Sequence, residues 1–207
     1  FMKLALKQAE KTLGNTKENP AVGCVITKNN QMISASCTSI NGRPHAETNA
    51  IKLSRSNIEN ANMYVTLEPC SNYGKTPPCI NLIIKKKIKK VYFSIFDPDL
   101  RSLKKSISKF KKHRISFSRG LLKHEINDFY RSYIKYKKNE LPFVTCKLAT
   151  SKDFYTVNKK NKYITNQFSR GRVHLMRSYH DCILTSSQTI LKDNPQLTCR
   201  ILGLKYR

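Results

Sequence analysis

His45, Glu47, Cys70 and Cys79 are the residues of this 207-residue chain whose types and spacing point most directly to chemistry. Eight residues separate the two cysteines, in the stretch TLEPCSNYGKTPPC over 66–79. A histidine nitrogen and two thiolates make three ligands of a tetrahedral zinc, and an open fourth position marks a catalytic rather than a structural site. Helix N-termini carry partial positive charge, which favours thiolate over thiol.

Glu47 lies two positions from His45 and is not required as a ligand. Zinc brings the pKa of a water toward neutrality and so supplies hydroxide. A carboxylate beside that water can take its proton and hand it to a leaving amine, which is the arrangement of zinc deaminases. Taken singly, each part has a plainer reading. His-x-Glu is common, and a lone cysteine is often a small apolar core group. The order of His-Ala-Glu, then Glu-Pro-Cys after a strand, then a cysteine opening a helix favours the metal site.

Composition narrows the setting. Seven cysteines is an odd number, and in a reducing compartment they are thiols or ligands rather than bridges. Cys24, Cys37, Cys146, Cys182 and Cys199 sit in apolar or strand contexts and are expected to be structural. His113, His124, His174 and His180 are expected at the surface. The net charge of +26 invites a nucleic-acid partner. Lysine, asparagine and isoleucine are abundant throughout, however, Trp is absent and Gly scarce, the pattern of coding sequence under A+T pressure. Drift is the preferred reading, although 85–90 and 102–114 are dense in lysine; a charge of this sign would also attract phosphorylated small substrates.

No run of 18 apolar residues is present, so no membrane span is expected. Lys3, Lys7, Glu10 and Lys11 interrupt the opening FMKLALKQAEKTLG, which reads as an amphipathic helix rather than a signal peptide. A cytoplasmic protein is expected. The first residue is Phe1, so the natural start is expected to be missing.

The elements that must hold these residues follow from periodicity. Residues 3–14 read as a helix, and AVGCVIT (21–27) and QMISASC (31–37) as a hairpin turning at Asn29-Asn30. The loop and helix of 41–54 follow, with Ala46, Ala50, Ile51 and Leu53 facing inward. ANMYVTLE (61–68) is a strand, and CINLIIKKK (79–87) a helix capped from Thr76 and started by prolines. KVYFSIF (90–96) is a strand ending in the turn Asp97-Pro98-Asp99. A short helix over 101–112, an edge strand over 115–118 and a long helix over 121–137 complete the first unit. Alternating strands and helices make a three-layer α/β/α sandwich. A second unit begins at Leu141-Pro142, with strands over 143–151 and 182–190 and a helix from YITN (163–166) through Met176.

With those residues in hand, the chain resembles the bifunctional deaminase–reductase family of riboflavin biosynthesis. The motif TLEPCSNYGKTPPC carries the long loop of that family, where most cytidine-deaminase-type enzymes place two residues between the cysteines. Asn19-Pro20 with Val22-Gly23, Pro44-His45-Ala46-Glu47 and Asp97-Pro98 match as well. The resemblance implies a cytidine-deaminase-like domain over 1–140, followed over 141–207 by an incomplete, N-terminal part of a dihydrofolate-reductase-like domain. It implies zinc on His45, Cys70 and Cys79, Glu47 as proton shuttle, and Asn19, Asn72, Lys75 and Asp97 at the substrate. The implied reaction removes the ring 2-amino group of 2,5-diamino-6-ribosylamino-4(3H)-pyrimidinone 5′-phosphate as ammonia. Lys147, Thr165, Arg177, Asp193, Leu197 and Arg200 sit where the family's reductase meets NADPH and substrate. A partial sheet with open edges is marginal, so no independent reductase activity is expected, and a separate reductase chain would have to supply that step. A homo-oligomer is expected.

The chain departs from the family pattern at Asn72, where His is usual, at Asp99-Leu100-Arg101-Ser102 after the Asp-Pro turn, at Lys152 and Phe154, and at Tyr163 in place of Trp. Three rival readings remain: a nucleic-acid deaminase, a non-catalytic zinc module, and a scaffold without metal. The long cysteine loop argues against the first, the intact Glu47 against the second, and a zinc assay decides the third.

Overall fold

Asn29 and Asn30 both take positive φ, 50° and 59°, in the computed structural model, and so form the kind of turn that matches the twist of a two-strand hairpin. It joins β1 (Gly23–Lys28) to β2 (Gln31–Cys37). The structure describes residues 1–156 and 163–203, in two units, Phe1–Phe143 and Val144–Arg207.

In the first unit β1 pairs antiparallel with β3 (Asn62–Leu67), while β3, β4 (Lys90–Ile95) and β5 (Ser116–Arg119) run parallel. The sheet order is β2-β1-β3-β4-β5. Parallel neighbours need a crossover, and the helices α3 (Cys79–Lys85) and α4 (Lys105–Lys112) provide the two of them.

Register assigns the layers, because side chains alternate between faces. Cys24 pairs with Val65, Met63 with Val91, and Val91 with Phe117. That face meets α2 (Ala46–Leu53), α3 and α4, and Phe117 stacks on Phe110 of α4. The other face holds Gly23 and Thr66 and meets α1 (Met2–Glu10) and α5 (Lys123–Asn139). A Cβ on Gly23 would lie 1.8 Å from the Ala5 carbonyl oxygen, so only glycine lets α1 approach β1 this closely. On the same face the Gly23 amide donates to Thr66 Oγ1 (3.1 Å), which meets Tyr130 Oη (2.6 Å), and Tyr130 donates to the Ala21 carbonyl (2.9 Å). This chain of bonds docks α5 on the sheet. The three-layer sandwich is therefore present, with Phe93, Met63, Ile80 and Phe110 among its fully buried side chains.

Several elements differ from expectation. Helix α1 ends at Glu10, and turns carry the chain on to Gly14, whose φ is 79°. Helix α4 starts at Lys105, because 99–104 forms turns on the Asp99 carbonyl. Leu53 is 59% exposed. It lies about 200° around the helix from Ile51, so the two cannot both face the core. Thr76 does not cap α3. Pro78 is the N-cap, and the first two amides of the helix bond to Cys70, Cys79 N to Sγ and Ile80 N to the carbonyl (both 3.2 Å).

In the second unit neither expected strand forms among the described residues. A strand's amides need a neighbouring strand, and 143–151 finds none. The segment 182–190 runs instead into α7 (Ser187–Asp193), because Ser186 Oγ caps the amide of Thr189 at 3.2 Å. The helix α6 (Gln167–Ser178) starts where expected, with Asn166 Oδ1 accepting from Ser169 N. Cys146 and Cys182 are exposed rather than packed.

Candidate active site

The carboxyl ends of β3 and β4 open on the N-termini of α2 and α3, the usual place for a site in an open α/β sheet. His45 is the N-cap of α2, Glu47 lies in its first turn, Cys70 follows β3, and Cys79 is the first residue of α3. The sequence separates His45 from Cys79 by 34 positions, and the fold brings them into contact. His45 Nδ1 lies 3.5 Å from Cys70 Sγ and 3.4 Å from Cys79 Sγ. All three candidate ligand atoms lie within 4.8 Å of one another.

The geometry fits zinc. Tetrahedral bonds of about 2.3 Å to sulfur and 2.0 Å to nitrogen place N and S about 3.5 Å apart. The observed separations need only tenths of an ångström of adjustment. The imidazole turns Nδ1 to the sulfurs, and its Nε2 is buried without a hydrogen-bond partner among the described residues.

Electrostatics in the metal-free chain prepare one thiolate. The Cys79 thiol bonded to Cys70 holds the latter down to about 4, and His45 adds to the effect. The same sulfur contact and burial push the Cys79 thiol up. The hydrogen bond to Cys70 raises His45. Glu47 is buried, and that burial pushes its carboxyl up to about 7, with the negative charge of Cys70 adding to it.

These groups share an open cleft of about 710 Å³, part of it solvent, with Asn19, Asn72 and Asp97. Lys75 is exposed and does not line the cleft, although its neighbours Gly74 and Thr76 do. Asn72 Oδ1 accepts from Ser102 Oγ at 2.6 Å. Asp97 Oδ1 accepts from Tyr133 Oη and Asp99 N, both at 3.0 Å. Arg101 and Lys137 bond to Asp99 and hold its carboxyl well below the usual range.

Sequence reasoning assigned no role to Arg43, Glu68, Asp99, Arg101, Ser102 or Tyr133, all of which line the cleft. Glu68 stood in view inside the Glu-Pro-Cys motif. Its buried carboxylate accepts from Asp97 N (3.3 Å), Lys104 N (3.0 Å), Ser106 N (3.2 Å) and Ser106 Oγ (2.6 Å). It thereby fixes the segment that carries Asp97.

Asp97 yields a pH prediction. Burial pushes its carboxyl up to about 6, above the unfolded value near 4. The favourable protonated state is fully present below pH ~4 and is lost as pH rises through about 6. The span corresponds to about 3 kcal/mol at most. Asp97→Asn keeps an acceptor for Tyr133 and removes the buried charge. It is expected to be more stable than wild type at pH 8, by about 1–3 kcal/mol, and equal to it at pH 4 in urea unfolding. A variant less stable at pH 8 would contradict the assignment.

In the second unit Arg177 and Arg200 both donate to Thr198, at 3.1 and 3.0 Å. Lys147 and Asp193 are exposed, and Thr165 and Leu197 half-buried. No hydrogen bond joins these four to the arginine pair among the described residues. No described helix is long and apolar enough to cross a membrane.

Comparison with known proteins agrees with this geometry. The family model described as "Cytidine and deoxycytidylate deaminase zinc-binding region" matches residues 1–95, and "RibD C-terminal domain" matches 142–205. The riboflavin biosynthesis protein RibD of Bacillus amyloliquefaciens is 36% identical over 97% of this chain and 55% of its own length. That of Buchnera aphidicola subsp. Baizongia pistaciae is 38% identical over 97% and 54%. The crystal structure of a diaminohydroxyphosphoribosylaminopyrimidine deaminase/5-amino-6-(5-phosphoribosylamino)uracil reductase from Thermotoga maritima superposes with a TM-score of 0.92 at 38% identity. It covers 98% of this chain and 59% of that one. The chain thus spans a little over half the length of the relatives it matches.

Proposed function

This chain belongs to the RibD family of riboflavin biosynthesis proteins over the residues it shares with them, and from that premise we propose that residues 1–140 deaminate a phosphorylated diaminopyrimidine. The substrate is 2,5-diamino-6-ribosylamino-4(3H)-pyrimidinone 5′-phosphate and the product released is ammonia. The observation that carries the proposal is the contact of His45 Nδ1 with both sulfurs, at 3.4 and 3.5 Å, in the cleft that also holds the buried Glu47.

His45, Cys70 and Cys79 hold the zinc. Zinc bound there supplies a water acid enough to ionise near neutral pH. Glu47 accepts the proton of the attacking water on its carboxylate and delivers it to the departing amine nitrogen. Its carboxylate is largely buried. Asn19 and Asn72 offer both donors and acceptors to the pyrimidine edge. Asp97, aimed by Tyr133 and the Glu68-anchored turn, accepts from a ring amine or a ribose hydroxyl. Lys75, on its exposed loop, meets the phosphate from outside the cleft.

The lining weighs against the nucleic-acid reading. Glu47, Glu68 and Asp97 line this cleft without a cationic partner among the described residues, and carboxylates repel a run of phosphates. They suit a small amine-rich ring.

Residues 141–207 correspond to the start of the reductase domain, with Lys147, Thr165, Arg177, Asp193, Leu197 and Arg200 at the family's NADPH and substrate positions. NADPH enters only where that domain is completed, by further chain or by a separate reductase. The protein works in the cytoplasm, as a homo-oligomer.

The test is ammonia release by the zinc-loaded protein from the diaminopyrimidine ribotide, without NADPH. Release of one ammonia per substrate consumed is expected. Zinc-replete protein that releases none would overturn the proposal.

A further inference from the structure

The charges lining the cleft are unevenly compensated. Arg101 is neutralised by Asp99, with Nε–Oδ1 at 2.9 Å and Nη2–Oδ2 at 2.6 Å. Lys137, which does not line the cleft, shares the same carboxylate at 3.2 Å. Arg43 differs. Its Nη1 donates to the neutral hydroxyl of Thr76, and among the described residues no carboxylate pairs with it. Its other terminal nitrogen, Nη2, reaches Gly74, where an added Cβ would lie 3.2 Å away. Arg43 is half-buried as a residue. It lines a cleft that also holds the carboxyl groups of Glu47 and Asp97, and its guanidinium lies against the separate 70–79 loop at Gly74.

We infer that Arg43 binds the anionic substituent of the substrate, as the charged fork of a phosphate subsite completed by the backbone around Gly74. The identity of the substrate rests on the deaminase reading above, whereas the anion subsite does not. The guanidinium presents paired donors that match two phosphate oxygens at once. Its hydrogen bond to Thr76 holds the guanidinium against the 70–79 loop, which carries both cysteines. The carboxylate of Asp97, which also lines the cleft, would repel a phosphate. A substrate with a ribose phosphate at one end and an amine-rich ring at the other is thereby oriented, with its amine toward Glu47.

The test uses zinc-loaded full chain and two probes, ribose 5-phosphate and ribose, with binding followed by calorimetry. Wild type is expected to prefer the phosphate, and Arg43→Gln to lose about 10- to 100-fold of that preference. Arg43→Lys keeps the charge without the fork and is expected to fall between them. Thr76→Val removes the tether and is expected to keep the preference. In turnover, Arg43→Gln is expected to lower kcat/KM for the ribotide by the same factor and to leave the dephosphorylated riboside unchanged.

Equal losses on ribotide and riboside, or an unchanged phosphate preference in Arg43→Gln, would overturn the inference. So would loss of the preference in Thr76→Val with Arg43 intact, since Arg43 would then act only on the loop. Phosphate preference that vanishes in Arg43→Gln, in a protein that releases no ammonia from any pyrimidine, would support the subsite and sink the deaminase reading. If Arg43→Gln fails to fold, Arg43→Lys decides: an undiminished preference for phosphate over ribose in a zinc-replete Lys variant would exclude the fork.

Discussion

Glu47→Gln is expected to load zinc like wild type and to lose turnover by about 10²- to 10⁴-fold, the usual range for removing a positioned acid–base group. Glutamine keeps the volume and hydrogen-bonding reach of the side chain, so the core of α2 around Ala46 and Ala50 is not disturbed. Its amide cannot accept and release a proton at neutral pH. The ligand set remains whole, because His45, Cys70 and Cys79 meet without any contribution from Glu47. Zinc content by elemental analysis and ammonia release separate the two roles. Turnover within tenfold of wild type would remove Glu47 as the proton carrier. Loss of zinc together with turnover would make it part of the ligand set instead.

The second large effect concerns stability. Glu68→Ala is expected to destabilise the first unit by about 3–5 kcal/mol. Four donors would lose their acceptor at once, three of them backbone amides of Asp97, Lys104 and Ser106. Glu68 is 3% exposed, so water does not readily replace it. For a unit of this size that is a drop of roughly 10 °C or more in Tm. Glu68→Gln keeps one acceptor oxygen but turns an NH₂ toward donors, and should fall between. Glu10→Ala serves as the contrast. It removes an exposed pair with Lys7 and should change stability by less than about 0.5 kcal/mol. Thermal unfolding of the three variants orders them, and Glu68→Ala melting with Glu10→Ala would show that the 97–106 segment is held by other means.

The two predictions address different layers of one site. Glu47 acts at the reacting atoms, while Glu68 acts through the turn that carries Asp97, Asp99, Arg101 and Ser102. That turn holds one of the departures from the pattern the sequence otherwise resembles. The buried acceptor beneath it explains how a segment with altered sequence keeps a defined shape: the bonds Glu68 accepts are mostly from backbone amides, which any residue except proline supplies.

What the sequence determined by itself was local. Alternation with period two and recurrence with period 3.6 located all five strands of the first unit and the helices between them. The zinc ligands were legible because each sits at an element boundary with its own short signature: Pro-His-Ala-Glu at the start of α2, Glu-Pro-Cys after β3, and Pro-Pro-Cys at the start of α3. What only the tertiary structure decided was nonlocal. Arg43 meets Thr76, and Glu68 meets Asp97 and Ser106, across 29 to 38 positions. Sheet register and helix docking set such pairings, and no periodicity encodes them. The same reason accounts for the strands that did not form over 143–151 and 182–190. A β-prone segment becomes a strand only when a neighbour accepts its hydrogen bonds, whereas a helix satisfies its own, so Ser186 and Asn166 could start helices from local caps alone.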